Sequence, residues 1–499
     1  MEMTMLLKLI QKLEHICMFF LRHGGIQILA LFIVGEEIYQ KYKAHNDKNS
    51  VCMSRNKNAV KGIVFGKKGN KLYYSPTNGE GHVACFAGSG LGKTSSVLIP
   101  TLQHWDGTSF VIDISGDICD NVETQNKIIF DPDDADGILY NIFYSIDKKE
   151  SDEAKDEALE QLAYLLMPLE NNASDTNVFF TVEGRKILTA SLITYYHMGM
   201  DFVEICERIV SKDHVTLFEE IDAINNYKAL QYVTSFAGTS ERNTAGCKQA
   251  CDTAIRLFAT NPHIKKSVGR PQKGREAFVP EQLEEKNVYV KIQDAKLELY
   301  APLLHIITAQ CMDYFSYRAN NHQNTILFCL DEFASFGRLD ITAALRKLRK
   351  KHVRIMILTQ SMADIDMIYG KDERMAMLNN FTYKVVLGCS DSDTQEYFSR
   401  LIGEQNAYRK GISKNGRQIT NSKTEVRERI VPPAELARLG RKLILLTSGE
   451  YYILRKNFYF ELSLWDRIIK YMKNLSREDE EDFPTENTLA LDKEKEKIQ

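Results

Sequence analysis

The sequence has no Cys-x-x-Cys pair, and its ten cysteines are scattered along the chain. That scatter excludes a zinc ribbon or a disulfide framework and points to reduced thiols in a reducing compartment. Cys247 and Cys251 stand four apart on an expected helix, but no His or further Cys completes a ligand set there. Positive charge is not in excess either: 64 Lys and Arg against 67 Asp and Glu leave a net charge of −3. No protein-wide basic field therefore advertises nucleic acid or acidic lipid, and any DNA contact must come from a local patch or a pore built by several subunits. Prolines number only 11, internal repeats are absent, and no small-residue cleavage pattern marks a secretory signal. What remains is the composition of an ordinary folded protein, 44% hydrophobic and 26% charged, with 499 residues to fill two or three domains.

Long apolar runs are also scarce, and the first 45 residues hold the one ambiguous case. Leu6, Leu9, Ile10, Leu13 and Cys17 recur at helical spacing, and Ile26 to Val34 is almost wholly apolar. That run is too short to cross a bilayer alone. Extended back to Ile16 it reaches the necessary ~20 residues, but then encloses Arg22, His23, Gly24 and Gly25. Two readings stay open: a single membrane helix or interfacial anchor, and a soluble helical hairpin.

Against these absences stands one dense motif, Ala87-Gly88-Ser89-Gly90-Leu91-Gly92-Lys93-Thr94. It closes an apolar run, His82 to Phe86, and opens a helix-like segment, Ser95 to Ile99. A strand, a glycine turn and a helix start in that order let successive N–H groups face one anion, with the helix terminus adding partial positive charge. Lys93 can reach β- and γ-phosphates, and the Thr94 hydroxyl can ligate Mg²⁺. The first position is Ala87 where the pattern has Gly; a small residue satisfies the strand end.

From Val51 short strands alternate with helices, which predicts a mostly parallel sheet. Ser109 to Asp113 and Lys127 to Phe130 read as strands. The pattern turns helical near Ser145, with periodic stretches at Asp152 to Leu169 and Phe179 to Tyr196, and stays so to Gln282. An all-α domain inserted into an α/β domain is the simplest account. Lys265, Lys266, Arg270, Lys273 and Arg275 crowd its exit, either as a phosphate-backbone contact or as an ordinary polar loop. Strand patterns resume at Val288 to Ile292, Ile326 to Leu330, Arg354 to Leu358, Lys384 to Leu387, Leu443 to Leu446 and Tyr451 to Leu454. The polar, basic stretch Ala407 to Arg429 reads as a mobile loop, and the last two dozen residues as an acidic disordered tail.

The apolar run at Ile326 ends in Asp331-Glu332. A carboxylate at the carboxyl end of a buried strand sits on the sheet rim that also carries a phosphate loop. Asp331 would then hold Mg²⁺ and Glu332 would polarise the attacking water. Gln360, ending the next strand, would bond the γ-phosphate or that water. A trans-acting arginine finger is sought among Arg338, Arg346, Arg349 and Arg354, with Arg349 the first choice.

The ordered set of motifs resembles type IV secretion coupling proteins, the TraG/VirD4 family of conjugative DNA transfer ATPases. The resemblance is carried by Leu98-Ile99-Pro100-Thr101-Leu102, Phe110 to Asp117, Leu330-Asp331-Glu332-Phe333-Ala334 with Gly337, Thr359-Gln360-Ser361, Gly388, Phe398 to Gly403 and Pro433-Ala434-Glu435-Leu436. Asn141-Ile142-Phe143 stands where the family usually has Asn-Pro-Leu. The set spans roughly residues 80–460. It implies an α/β fold: a RecA-like P-loop NTPase domain with a mostly parallel sheet, interrupted by an all-α domain. The expected organisation begins with an N-terminal segment (1–45) and the P-loop segment of the nucleotide-binding domain (46–144). The all-α insert (145–282), the remainder of the nucleotide-binding domain (283–475) and the tail (476–499) follow. The resemblance further implies ATP and Mg²⁺ as ligands, a homohexameric ring on the cytoplasmic side of the bacterial inner membrane, and delivery of substrates to type IV secretion channel subunits. Those substrates would be a relaxase bound to single-stranded, non-sequence-specific DNA, or effector proteins. Family members usually carry two membrane helices, where this N-terminus offers at most one. A DNA translocase uncoupled from secretion and a slow ATPase acting as a recruitment platform are the competing functions.

Overall fold

The computed structural model describes residue 35 and residues 49–461, apart from 115, 170–172, 321 and 416–417. The segment expected over 1–45, Gly35 excepted, and the acidic tail expected over 476–499 lie outside the described residues. No helix among the described residues is long and apolar enough to cross a membrane.

The strands run in chain order as β1 (Cys52–Ser54), β2 (Gly62–Lys68), β3 (Lys71–Pro76), β4 (His82–Ala87), β5 (Thr108–Ile114), β6 (Lys127–Phe130), β7 (Leu139–Tyr140), β8 (Ala277–Phe278), β9 (Asn287–Ile292), β10 (Ile326–Leu330), β11 (Val353–Thr359), β12 (Phe381–Gly388), β13 (Glu404–Asn415), β14 (Gln418–Arg429), β15 (Lys442–Leu446) and β16 (Tyr451–Arg455). Twelve of them form one sheet in the order β1-β3-β2-β16-β15-β12-β4-β11-β10-β5-β9-β6. From β12 to β6 every neighbouring pair is parallel. From β12 outward to β1 every pair is antiparallel.

The parallel half is buried on both faces, which is why its strands read as unbroken apolar runs. In β10, Ile326, Phe328 and Leu330 join one core, while Leu327 and Cys329 join the core on the other face. β4 divides likewise, Ala84 and Phe86 to one side and Val83, Cys85 and Ala87 to the other. Burial pushes the Cys85 and Cys329 thiols up, so both act as small core hydrophobes.

Between β7 and β8 the described chain is helical from Tyr144 to Ser267. The helices are cut by side-chain caps: Ser151 accepts from the Ala154 N–H, Ser174 from Asn177, and Asp201 closes a capping box with Glu204. The first two periodic stretches become helices Asp152–Leu166 and Asp175–His197. β7 and β8 pair in parallel where the chain enters and leaves this stretch. The helices thus end before Gln282, and the short β7–β8 pair closes the neck. At that exit the basic cluster is largely spent on internal bonds. Lys265 pairs with Glu207, Arg270 bonds Asp147 at 2.8 Å, and Arg275 donates to the Gly137 carbonyl at 2.7 Å.

The expected loop at Ala407 to Arg429 is instead a two-stranded antiparallel ribbon, β13 against β14, with Asn415 opposite Gln418. It pairs with no other strand among the described residues, and its sequence shows no apolar alternation. The Asn415-Gly416 dipeptide was the available turn signal.

Two buried polar groups tie the amino ends of the parallel strands together. Arg354 of β11 is fully buried and donates to the carbonyls of Gly81 (2.7 Å) and Pro76 (2.7 Å) and to Ser75 Oγ (2.9 Å). Burial lowers its pKa to about 10. His82 Nδ1 accepts the Ile355 N–H at 3.0 Å, so Nε2 carries the proton and donates to the Leu345 carbonyl at 2.8 Å. Burial holds this imidazole neutral, with its pKa lowered from 6.5 to about 3. The folded pKa lies below the unfolded one, so the contribution is full above pH 6.5 and shrinks as the unfolded chain takes up a proton below it. Urea titrations of the wild type and His82→Asn should show a stability gap that narrows as pH falls through 6.5, with a slope approaching about 1.4 kcal/mol per pH unit by pH 5. A gap constant with pH would contradict the neutral, buried assignment.

Candidate nucleotide site

The register of three parallel strands builds the site. Thr359 of β11 lies opposite Phe86 of β4, and Ile357 of β11 lies opposite Leu330 of β10. The residues that follow (Ala87 to Thr94, Asp331-Glu332 and Gln360) therefore leave the sheet along one rim. The phosphate-loop strand and the carboxylate strand are not neighbours; β11, which carries Gln360, stands between them.

The loop curls through positive φ at Gly90 (72°) and Gly92 (85°), a region costly for residues with a Cβ. It turns into a helix whose first turn, Thr94–Leu98, is a π turn continued by Ile99–His104. π turns of this kind often sit at functional sites, because the extra residue re-aims side chains. Here Thr94 Oγ1 donates to Asp331 Oδ2 at 2.9 Å, and Lys93 Nζ bonds Glu332 Oε1 while standing 3.7 Å from Asp331 Oδ1. Gln360 Nε2 reaches Glu332 Oε2 at 3.4 Å. The structure thus brings Lys93, Thr94, Asp331, Glu332 and Gln360 into one contact set.

Asp331 is only 6% exposed, and burial raises its pKa against the opposing pull of Lys93 and the Thr94 hydroxyl. Glu332 adopts φ 50°, ψ 45°, a left-handed conformation uncommon for a residue with a Cβ. Its N–H donates to Asp331 Oδ1 at 3.0 Å and its carbonyl accepts the Ser335 N–H at 2.8 Å, which pins the turn. The turn aims both carboxylates at Lys93 instead of letting a regular helix carry Glu332 away. Thr94 Oγ1 and the Asp331 carboxylate form a hard-oxygen pair of the kind Mg²⁺ takes alongside phosphate oxygens and water.

The arginines are not brought to this rim. Arg349 lies at the other end of β11, with its nearest acid, Glu80, at 3.9 Å. Arg338 is paired with Glu373 at 2.7 Å, Arg346 lies on helix Ile341–Leu348, and Arg354 is locked in the sheet as described. The full burial of Arg354 removes it from the finger candidates.

Sequence reasoning missed the segment after β16. Lys456, 2% exposed and with its pKa lowered by burial, donates to the Leu91 carbonyl at 2.9 Å. The Tyr459 N–H donates to the Ser95 carbonyl at 3.0 Å. Phe458 lies so close to Gly92 that a Cβ there would come within 2.8 Å of its ring. These residues fall in no spacing pattern; only the return of the chain beside β2 places them on the loop.

Comparison with known proteins gives a consistent result. The chain is 24% identical over 458 residues to Protein VirD4 of Rhizobium rhizogenes, covering 83% of this chain and 63% of that protein. It is 22% identical over 460 residues to the conjugal transfer protein TraG of Agrobacterium fabrum, covering 88% of this chain and 67% of that one. Among solved structures, the plasmid coupling protein TrwB in complex with the ATP analogue ADPNP superposes with a TM-score of 0.63 at 17% identity, over 80% of this chain and 89% of TrwB. TrwB with ADP and Mg²⁺ gives 0.61 at 19% identity, over 76% and 85%. The fold is therefore shared with TrwB, an α/β RecA-like P-loop architecture. The family described as Type IV secretory system Conjugative DNA transfer matches residues 41–488, and the chain belongs to it.

Proposed function

We propose that this chain is an ATP-hydrolysing coupling motor, which recruits nucleoprotein or effector substrates and drives them to a type IV secretion channel. The observation that carries this reading is the convergence of Lys93, Thr94, Asp331, Glu332 and Gln360 on one sheet rim. The TrwB structures in complex with ADPNP, and with ADP and Mg²⁺, support nucleotide and magnesium as ligands. The names of the VirD4 and TraG relatives support secretion and conjugal transfer. Substrates and partners follow the same reading: DNA as single strand without sequence preference, a relaxase or effector protein, channel subunits, and further copies of this chain in a homohexamer on the cytoplasmic side of the inner membrane.

Loop N–H groups and Lys93 bind the phosphates. Bound Mg²⁺ would supply charge neutralisation at the β- and γ-phosphate oxygens, held by Thr94 Oγ1 and Asp331. When Lys93 Nζ turns from Glu332 to the phosphates, the Glu332 carboxylate is freed to take a proton from water. That water attacks the γ-phosphorus, the bond to the β,γ-bridging oxygen breaks, and ADP and phosphate leave. Gln360 orients the water beside Glu332. Arg349, remote from its own rim, serves a neighbouring subunit.

Lys93→Ala should abolish ATP turnover, and Glu332→Gln should lower it by roughly 10²–10⁴-fold while leaving ATP binding in place. Phosphate release and plasmid transfer are the measurements. Wild-type turnover in both variants would overturn the site. Mixing Arg349→Ala with Lys93→Ala subunits should recover part of the turnover, because a working loop then meets an intact neighbour's arginine. No recovery at any mixing ratio would exclude action between subunits.

A further inference from the structure

The segment after β16 crosses the phosphate loop as a strap. It grips the loop at Leu91 through Lys456, at Gly92 through the Phe458 ring, and at Ser95 through the Tyr459 N–H. Its far end is pinned by charge. The Glu461 carboxylate accepts from Lys67 Nζ at 2.6 Å, pairs with Arg441, and lies 3.4 Å from Arg455. The Arg441 guanidinium also lies 5.9 Å from the Phe458 ring centre. Along the strap, Phe458 and Tyr459 are half-buried. Phe460 departs from that: it stacks on Phe458, centroids 5.2 Å apart and planes 28° apart, yet stays 60% exposed among the described residues. One face is backed by a ring that touches the phosphate loop, and the side chain still meets water.

A nucleotide whose phosphates rest on Gly88 to Thr94 must place its base within one nucleotide's length of that loop. The strap crosses within that reach. We propose that Phe460, backed by Phe458, is the stacking face for the nucleobase of the bound nucleoside triphosphate. The proposal rests on the nucleotide-site reading above. Stacking on a π face needs no hydrogen-bond pattern, so the platform recognises a flat base and leaves phosphate recognition to the loop. Because Lys456 and Tyr459 hold the loop itself, base and phosphates would be read by one continuous piece of structure.

Calorimetric titration of the full chain with ADP and Mg²⁺, and separately with tripolyphosphate and Mg²⁺, tests this. Phe460→Ala should weaken ADP binding roughly 5- to 150-fold and leave tripolyphosphate binding unchanged. Phe460→Trp should restore ADP binding, and its fluorescence should be quenched by ADP but not by tripolyphosphate. Unchanged ADP affinity in Phe460→Ala would overturn the platform, as would equal weakening of both ligands, which would mark a purely structural strap. Lys93→Ala separates the two levels of the argument. It should weaken both ligands; if it weakens neither, the nucleotide site itself is misplaced and the platform falls with it.

Discussion

Two carboxylates at the end of one buried strand face a lysine and a threonine at the end of another, and most of the remaining architecture serves to keep them there. The Lys93–Glu332 and Thr94–Asp331 contacts join residues 239 and 237 positions apart in sequence. No local structure can hold such a pairing. It depends on the parallel register of β4, β11 and β10, and that register depends on strands buried on both faces. The desolvated Asp331 and the left-handed Glu332 are tolerated because the surrounding contacts over-determine their positions.

The two ends of these strands carry different polar chemistry. At the amino ends, Arg354 and neutral His82 satisfy carbonyls and N–H groups that would otherwise be buried unpaired. At the carboxyl ends, Lys93, Thr94, Asp331, Glu332 and Gln360 converge on one another. The helical stretch between β7 and β8 leaves and re-enters at a short parallel pair, so the insertion does not interrupt the register that the site requires. Downstream, the chain returns beside β2 and crosses the loop, which makes the last described residues part of the site.

Much of this was legible in the sequence, for identifiable reasons. The parallel strands announced themselves as apolar runs because both faces are buried, and the phosphate loop because its glycines and Lys93-Thr94 are contiguous. Asp331, Glu332 and Gln360 could be placed because each directly follows such a run. The β13–β14 ribbon was not legible as strand, since it pairs with no other strand among the described residues and its sequence carries no apolar alternation. The strap was not legible because Lys456, Phe458 and Tyr459 meet the loop only through the tertiary return of the chain. Arg354 resembled its neighbouring arginines in sequence; only its burial and three acceptors set it apart.

Under the proposed function, this rim is a single hydrolysis site in which Lys93 exchanges a carboxylate for phosphate. A crystal structure with a non-hydrolysable ATP analogue and Mg²⁺ tests it most directly. Phosphates are expected on the N–H groups of Gly88 to Thr94, the metal at Thr94 Oγ1 and Asp331, and Lys93 Nζ moved from Glu332 onto phosphate oxygens. A nucleotide bound elsewhere, or Lys93 still paired with Glu332 beside bound phosphates, would contradict it.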